Sequence, residues 1–90
     1  MNEDLKKIAN HYGLRRQLCQ TVEEMAELTQ VICKIRRYGM ATVRDHLVEE
    51  VADVSIMIDQ IVYLLGDNMI AKIREEKIKR QLERISNGRD

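Results

Sequence analysis

Two groups of acids carry the chemistry that this sequence can offer: Glu23-Glu24-Met25-Ala26-Glu27, and then Glu50-Val51-Ala52-Asp53. Both lie in strongly helical patterns, and positions three apart on a helix share a face. Glu24 and Glu27 therefore point one way, as do Glu50 and Asp53. If the two helices pack antiparallel, four carboxylates converge on one small volume. Each close like-charge pair would cost about 4 kcal/mol at an effective dielectric near 20 and roughly 4 Å separation. Such a concentration of charge calls for a cation. An all-oxygen donor set favours a hard divalent ion, Mg²⁺ first, with Mn²⁺ or Ca²⁺ as alternatives.

The acids also sit in a telling register. Glu24 and Glu27 continue along the helix as Val31 and Ile35, in steps of four and three. Glu50 and Asp53 continue as Met57, Ile61 and Leu64. Each acid pair thus occupies one end of a line that turns apolar, which places it beside the core and partly out of water. A desolvated carboxylate needs a partner. The basic residues in between (Lys34, Arg36, Arg37 and Arg44) cluster at the hairpin end, so a metal is the better candidate. Glu23 and Glu49 are each one step off these lines and read as spare acids or as solvent-facing ones. Diiron-type bundles need Glu-x-x-His pairs. Neither His11 nor His46 lies three residues after a Glu; His46 lies four before Glu50, on its face, and reads as a half-exposed residue near a helix start.

The elements that must position these acids follow from composition. The chain has 90 residues, no Pro, Trp or Phe, and only four Gly. Few breakers and ample apolar content predict one small all-α domain over residues 1–90. Four helices are expected. The first runs from Glu3 to Tyr12 and stops at Gly13. The second runs from Leu14 to Tyr38, stops at Gly39, and has an apolar stripe of Leu14, Leu18, Val22, Met25, Ile32 and Ile35. Thr42 is the expected N-cap of the third, with Asp45 in the capping-box position, and that helix ends at Leu65 before Gly66. Its stripe is Leu47, Val51, Val54, Ile58, Ile61 and Leu65. Asp67 or Asn68 caps the fourth, which is expected to turn Ala71, Ile78, Leu82 and Ile85 inward and to fray over 86–90. The second and third helices, about 37 Å long, form an antiparallel pair too apolar for one chain to cover. Ile56, Met57, Val62 and Leu64 lie off the main stripe. A homodimer or homotetramer is therefore expected.

Charge and cysteine content narrow the partners. Fifteen basic and fifteen acidic residues give a formal net charge of zero, so there is no global electrostatic case for binding polymeric nucleic acid. Residues 72–84 are locally basic, with six bases against three acids. This flank suits a polyphosphate ligand or is simply a solvated helix face. Cys19 and Cys33 would lie about 21 Å apart on one helix, too far to bridge, and read as small core residues of a reduced protein. No stretch suits a membrane span and the start MNEDLKK has no signal-peptide core, so a cytoplasmic setting is expected.

The two acid motifs resemble those of the MazG-like all-α nucleoside triphosphate pyrophosphohydrolases. Lys77-Ile78-Lys79-Arg80-Gln81-Leu82 is similar to the basic signature on that family's last helix. The resemblance spans residues 23–53 and, through the tail, reaches about Arg84. It implies packed helices in a dimer or tetramer, and Mg²⁺-dependent cleavage of a (d)NTP between the α and β phosphates to give the monophosphate and pyrophosphate. It implies Glu24, Glu27, Glu50 and Asp53 as metal ligands, with Lys77 and Arg80 on the phosphates. Glu23, or one of the ligands such as Glu24, would take the proton of the attacking water. There are departures. Glu75 stands where relatives often carry Asn, and only Tyr12, Tyr38 and Tyr63 are available to stack on a base. Phosphoribosyl-ATP pyrophosphohydrolases have similar acids but typically a Lys and a Gly where this chain has Thr21 and Val22. From another class, a non-catalytic helical oligomer serving as a protein-interaction module fits the same composition.

Overall fold

A computed structural model describes residues 2–88. It contains four helices: α1 (Glu3–Tyr12), α2 (Leu14–Tyr38), α3 (Met40–Leu65) and α4 (Met69–Ser86). The all-α expectation holds, and the glycines explain the boundaries. Gly13 and Gly39 are each the entire connection between two helices, with φ of 84° and 83° and ψ of 164° and 156°. That combination is essentially closed to residues with a Cβ. Each donates its N–H back to the helix it ends, to Ala9 and to Ile35, at 2.8 Å.

The start of α3 differs from expectation. The helix begins at Met40 directly after Gly39, so Thr42 lies within its first turn and does not cap it. Once Gly39 has reversed the chain in one residue, no linker remains for a side-chain cap. At α1 a cap does form, with the Asn2 side chain accepting from the N–H groups of Asp4 and Leu5 at 2.8 and 3.3 Å. Ahead of α4 the Asp67 carboxylate accepts from the N–H of Met69 at 2.9 Å.

α2 and α3 form the principal packed pair, and α1 lies against both. Gln17 meets Gln60 and Glu24 meets Glu50, so the pair is antiparallel. The face of α2 that turns inward is Leu14, Gln17, Thr21, Glu24, Leu28, Val31 and Ile35, each buried or half-buried. This is the line that carries the acid, not the more apolar stripe. Leu18, Val22, Met25 and Ile32 are all exposed, Val22 at 68%. On α3 the buried residues are Val43, Glu50, Met57 and Gln60, whereas Val51, Ile58 and Leu65 of the expected stripe are exposed. Cys19 and Cys33 are exposed as well, contrary to a core role, because they flank the outward stripe.

α4 departs furthest from expectation. It has no buried residue, and Ala71, Ile78, Leu82 and Ile85 face outward rather than inward. No other helix of the chain packs extensively against it. Its end holds through Ser86, with Asn87 and Gly88 donating back to Glu83 and Ile85; the rest of the expected frayed segment, 89–90, lies outside the described residues. The radius of gyration is 16.3 Å, against about 12 Å for a compact chain of this length. Among the described residues, no helix is long and apolar enough to cross a membrane.

Candidate metal centre

The antiparallel pairing of α2 and α3 brings three of the four expected ligands together. One carboxylate oxygen each from Glu24, Glu27 and Glu50 lies within 4.8 Å of the other two. The register explains why. Glu24 and Glu50 both occupy inward positions, with Val31 and Val43 closing the core towards the Gly39 turn. Glu27 reaches in from the exposed edge of the same turn of α2. Asp53 is half-buried one turn beyond Glu50 and is not among the three mutually close acids. Glu23 and Glu49 are exposed.

Glu50 is only 7% exposed, and the hydrogen bonding within the cluster is one-sided. Gln20 donates its amide to Glu24 Oε1 at 3.0 Å, and His46 Nε2 lies 3.4 Å from Glu50 Oε1. The other oxygen of each carboxylate, Glu24 Oε2 and Glu50 Oε2, is buried and has no hydrogen-bond partner. Buried polar atoms are nearly always paired, and an unpaired one costs about 1–3 kcal/mol, more when charged. Here two such atoms belong to neighbouring acids.

A divalent ion fits this donor set. Mg²⁺ at 2.0–2.1 Å from each oxygen requires the oxygens to be no more than about 4.2 Å apart, and Ca²⁺ at 2.3–2.6 Å tolerates about 5 Å. With the three oxygens within 4.8 Å of one another, side-chain movements would bring them to one ion, smaller for Ca²⁺ than for Mg²⁺. Glu24, Glu27 and Glu50 would hold the ion. Gln20 and His46 would fix the outer oxygens, as partners of metal-ligating carboxylates commonly do.

Gln20 carries no mark in the sequence beyond position. It precedes Glu24 by four residues, just as His46 precedes Glu50 by four, and i, i+4 pairs meet on a helix. His46 is half-exposed as expected, with 53% of its side chain accessible, yet it reaches the buried acid. Below the acids the interior stays polar. Gln17 donates to Gln60 at 2.7 Å, and the Thr21 hydroxyl donates to the Gln17 carbonyl at 2.6 Å. Gln60 is 1% exposed. Tyr63 is half-buried, its hydroxyl accepting from the Asn10 amide at 2.8 Å. Lys77 and Arg80 are exposed on α4, outside the acid cluster.

No family model, curated protein or solved structure matches this chain.

Proposed function

We propose that the chain is a Mg²⁺-dependent nucleoside triphosphate pyrophosphohydrolase. The observation that supports this most is the pair of buried, unpartnered oxygens of Glu24 and Glu50, converging with Glu27 between two long helices. They occupy the motif positions in which the sequence resembles the MazG-like enzymes. A divalent ion held there would supply positive charge to the phosphate oxygens and lower the pKa of a coordinated water. The chain's own groups do the rest. Glu24, Glu27 and Glu50 would hold the ion, with Asp53 one turn away as the fourth acid of the motifs. Glu23, exposed and adjacent in sequence to Glu24, accepts the proton of the water that attacks the α phosphorus. The bond from that phosphorus to the bridging oxygen breaks, and its electron pair leaves with pyrophosphate.

The active form is a homo-oligomer. The single chain exposes 7415 Å², whereas a compact monomer of this mass exposes about 5,500 Å². The excess, roughly 1,900 Å² per chain, is in the range that obligate dimers bury. Lys77 and Arg80 are assigned to the phosphates. That role requires assembly to bring α4 against the hairpin, since in one chain α4 has no buried residue.

The test is to incubate the protein with Mg²⁺ and each NTP and dNTP and to assay pyrophosphate. Glu24→Gln and Asp53→Asn are expected to lower the rate at least 100-fold while circular dichroism stays helical. Full activity in either variant would reject the assignment. The outward apolar face of α4 favours a second reading, a non-catalytic helical oligomer acting as an interaction module. A thermal shift separates the two. A metal site raises the melting temperature with Mg²⁺ or Mn²⁺ by mass action on the folded state, and a pure interaction module does not respond.

A further inference from the structure

A cleft opens next to the acid cluster, lined by Tyr12, Arg16, Gln17 and Gln20. Gln20 belongs to both places, since its amide also donates to Glu24. Arg16, Gln20 and Glu24 succeed one another at four-residue intervals along α2, so the cleft leads away from the acids over about 12 Å. At its far end the Arg16 guanidinium lies over the Tyr12 ring, 5.2 Å from the centroid. The His11 ring meets the same tyrosine edge-on, with centroids 4.7 Å apart and an interplanar angle of 83°. Tyr12 remains 45% exposed, so this braced aromatic is open to a ligand.

The charges point the same way. Among the described residues, neither Arg15 nor Arg16 has an acidic partner, and the first turn of α2 contains no acid. An anion entering here meets uncompensated positive charge, whereas an anion at the acid cluster meets negative charge and needs a metal. The cleft wall supplies the exposed Gln20 amide, which already donates to Glu24 and has a second N–H and a carbonyl to offer a heterocycle's edge. Aromatic and guanidinium faces stack on any base.

We infer that this cleft receives the nucleoside end of the substrate, with the base on the Tyr12–Arg16 stack, the Gln20 amide along its edge, and the phosphates extending past Gln20 to the acid cluster. This rests on the nucleotide reading above and extends it to residues outside the acid motifs. It assigns base binding to Tyr12 and Arg16 and leaves the phosphates to the acid cluster.

The experiment is calorimetric binding of non-hydrolysable α,β-imido analogues of the four dNTPs in Mg²⁺, with inorganic tripolyphosphate and Mg²⁺ alone as separate titrations. Tyr12→Ala is expected to weaken the preferred analogue by roughly tenfold or more, and to leave tripolyphosphate and Mg²⁺ affinities unchanged. Tyr12→Phe is expected to retain analogue affinity, because the ring and not the hydroxyl does the stacking. Arg16→Ala is expected to weaken the analogue with no effect on Mg²⁺. Parent-like analogue affinity in Tyr12→Ala, or an equal loss for tripolyphosphate, would overturn the cleft assignment and leave the hydrolase reading standing. A parent protein that binds Mg²⁺ but no analogue would overturn the nucleotide reading itself, and the cleft assignment with it.

Discussion

The α2–α3 hairpin and α4 differ in what they bury, although both expose large apolar residues. Of the residues that the chain buries, Gln17, Thr21, Glu50 and Gln60 are polar, and all four belong to the hairpin. Of those it exposes, Ile78, Leu82 and Ile85 on α4 are large and apolar, each near 60%. Hydrophobic burial dominates folding energetics, so both patterns run against the usual sorting of side chains. The hairpin tolerates a polar interior because its polar groups pair with each other, apart from Glu24 Oε2 and Glu50 Oε2, which have no hydrogen-bond partner. α4 tolerates apolar exposure only if something covers it. On the proposed function, the hairpin's acids take an ion and α4 takes a second chain.

The largest expected effect tests the α4 half of that contrast. An assembly that buries Ile78 and Leu82 cannot accept carboxylates there, since desolvating an unpaired charge costs far more than the surrounding apolar burial contributes. Ile78→Asp with Leu82→Asp is expected to collapse the oligomer to the 10.6 kDa chain in light scattering. The hairpin, which takes no support from α4 within the chain, should keep its helical signal. A parent protein that already runs at 10.6 kDa would remove the contrast altogether.

A smaller effect, with a distinctive sign, tests the hairpin half. Glu50 is buried beside Glu24 and Glu27 with one oxygen unpaired. Replacing it with its neutral isostere removes a buried charge and its repulsion. Glu50→Gln is therefore expected to stabilise the metal-free protein by about 1–3 kcal/mol and to abolish the stabilisation by Mg²⁺. Urea unfolding with and without Mg²⁺ reads both. A substitution that strengthens the fold while destroying its ion response identifies a site held at the expense of stability. Equal destabilisation in both conditions would identify Glu50 as an ordinary structural residue.

The legible and illegible parts of the sequence divide along the same line. The acid register could be read because steps of three and four tie Glu24 to Val31 and Ile35, and Glu50 to Met57 and Ile61. Those lines are the ones the hairpin buries. The helix ends could be read because Gly13, Gly39 and Gly66 take positive φ, which other residues avoid. The inward face of α2 could not be chosen by hydrophobicity. Leu18, Val22, Met25 and Ile32 form the more apolar stripe, yet they face out, because facing depends on what α1 and α3 present. The Gln17–Gln60 pair was hidden for the same reason. A lone glutamine reads as surface until a second one arrives opposite it from 43 residues away. The outward turn of α4 was hidden because Ile78, Leu82 and Ile85 keep a helical spacing whether or not anything covers them.

The smallest expected effect sharpens the boundary between the hairpin's two helices. Read as a sequence, Thr42 is an N-cap, and replacing a capping threonine with alanine costs about 0.5–2 kcal/mol. In the structure Gly39 performs the reversal alone, α3 starts at Met40, and Thr42 is an exposed residue in its first turn. There the better helix propensity of alanine governs. Thr42→Ala is expected to leave stability unchanged or to raise it by up to about 0.5 kcal/mol, measured by the urea midpoint. A loss of a full kilocalorie would mean that the chain frays back to Thr42 in solution. The single-residue turn at Gly39 would then not be the hinge that fixes how α2 and α3 align, and the register that brings Glu24 opposite Glu50 would have to come from core packing alone.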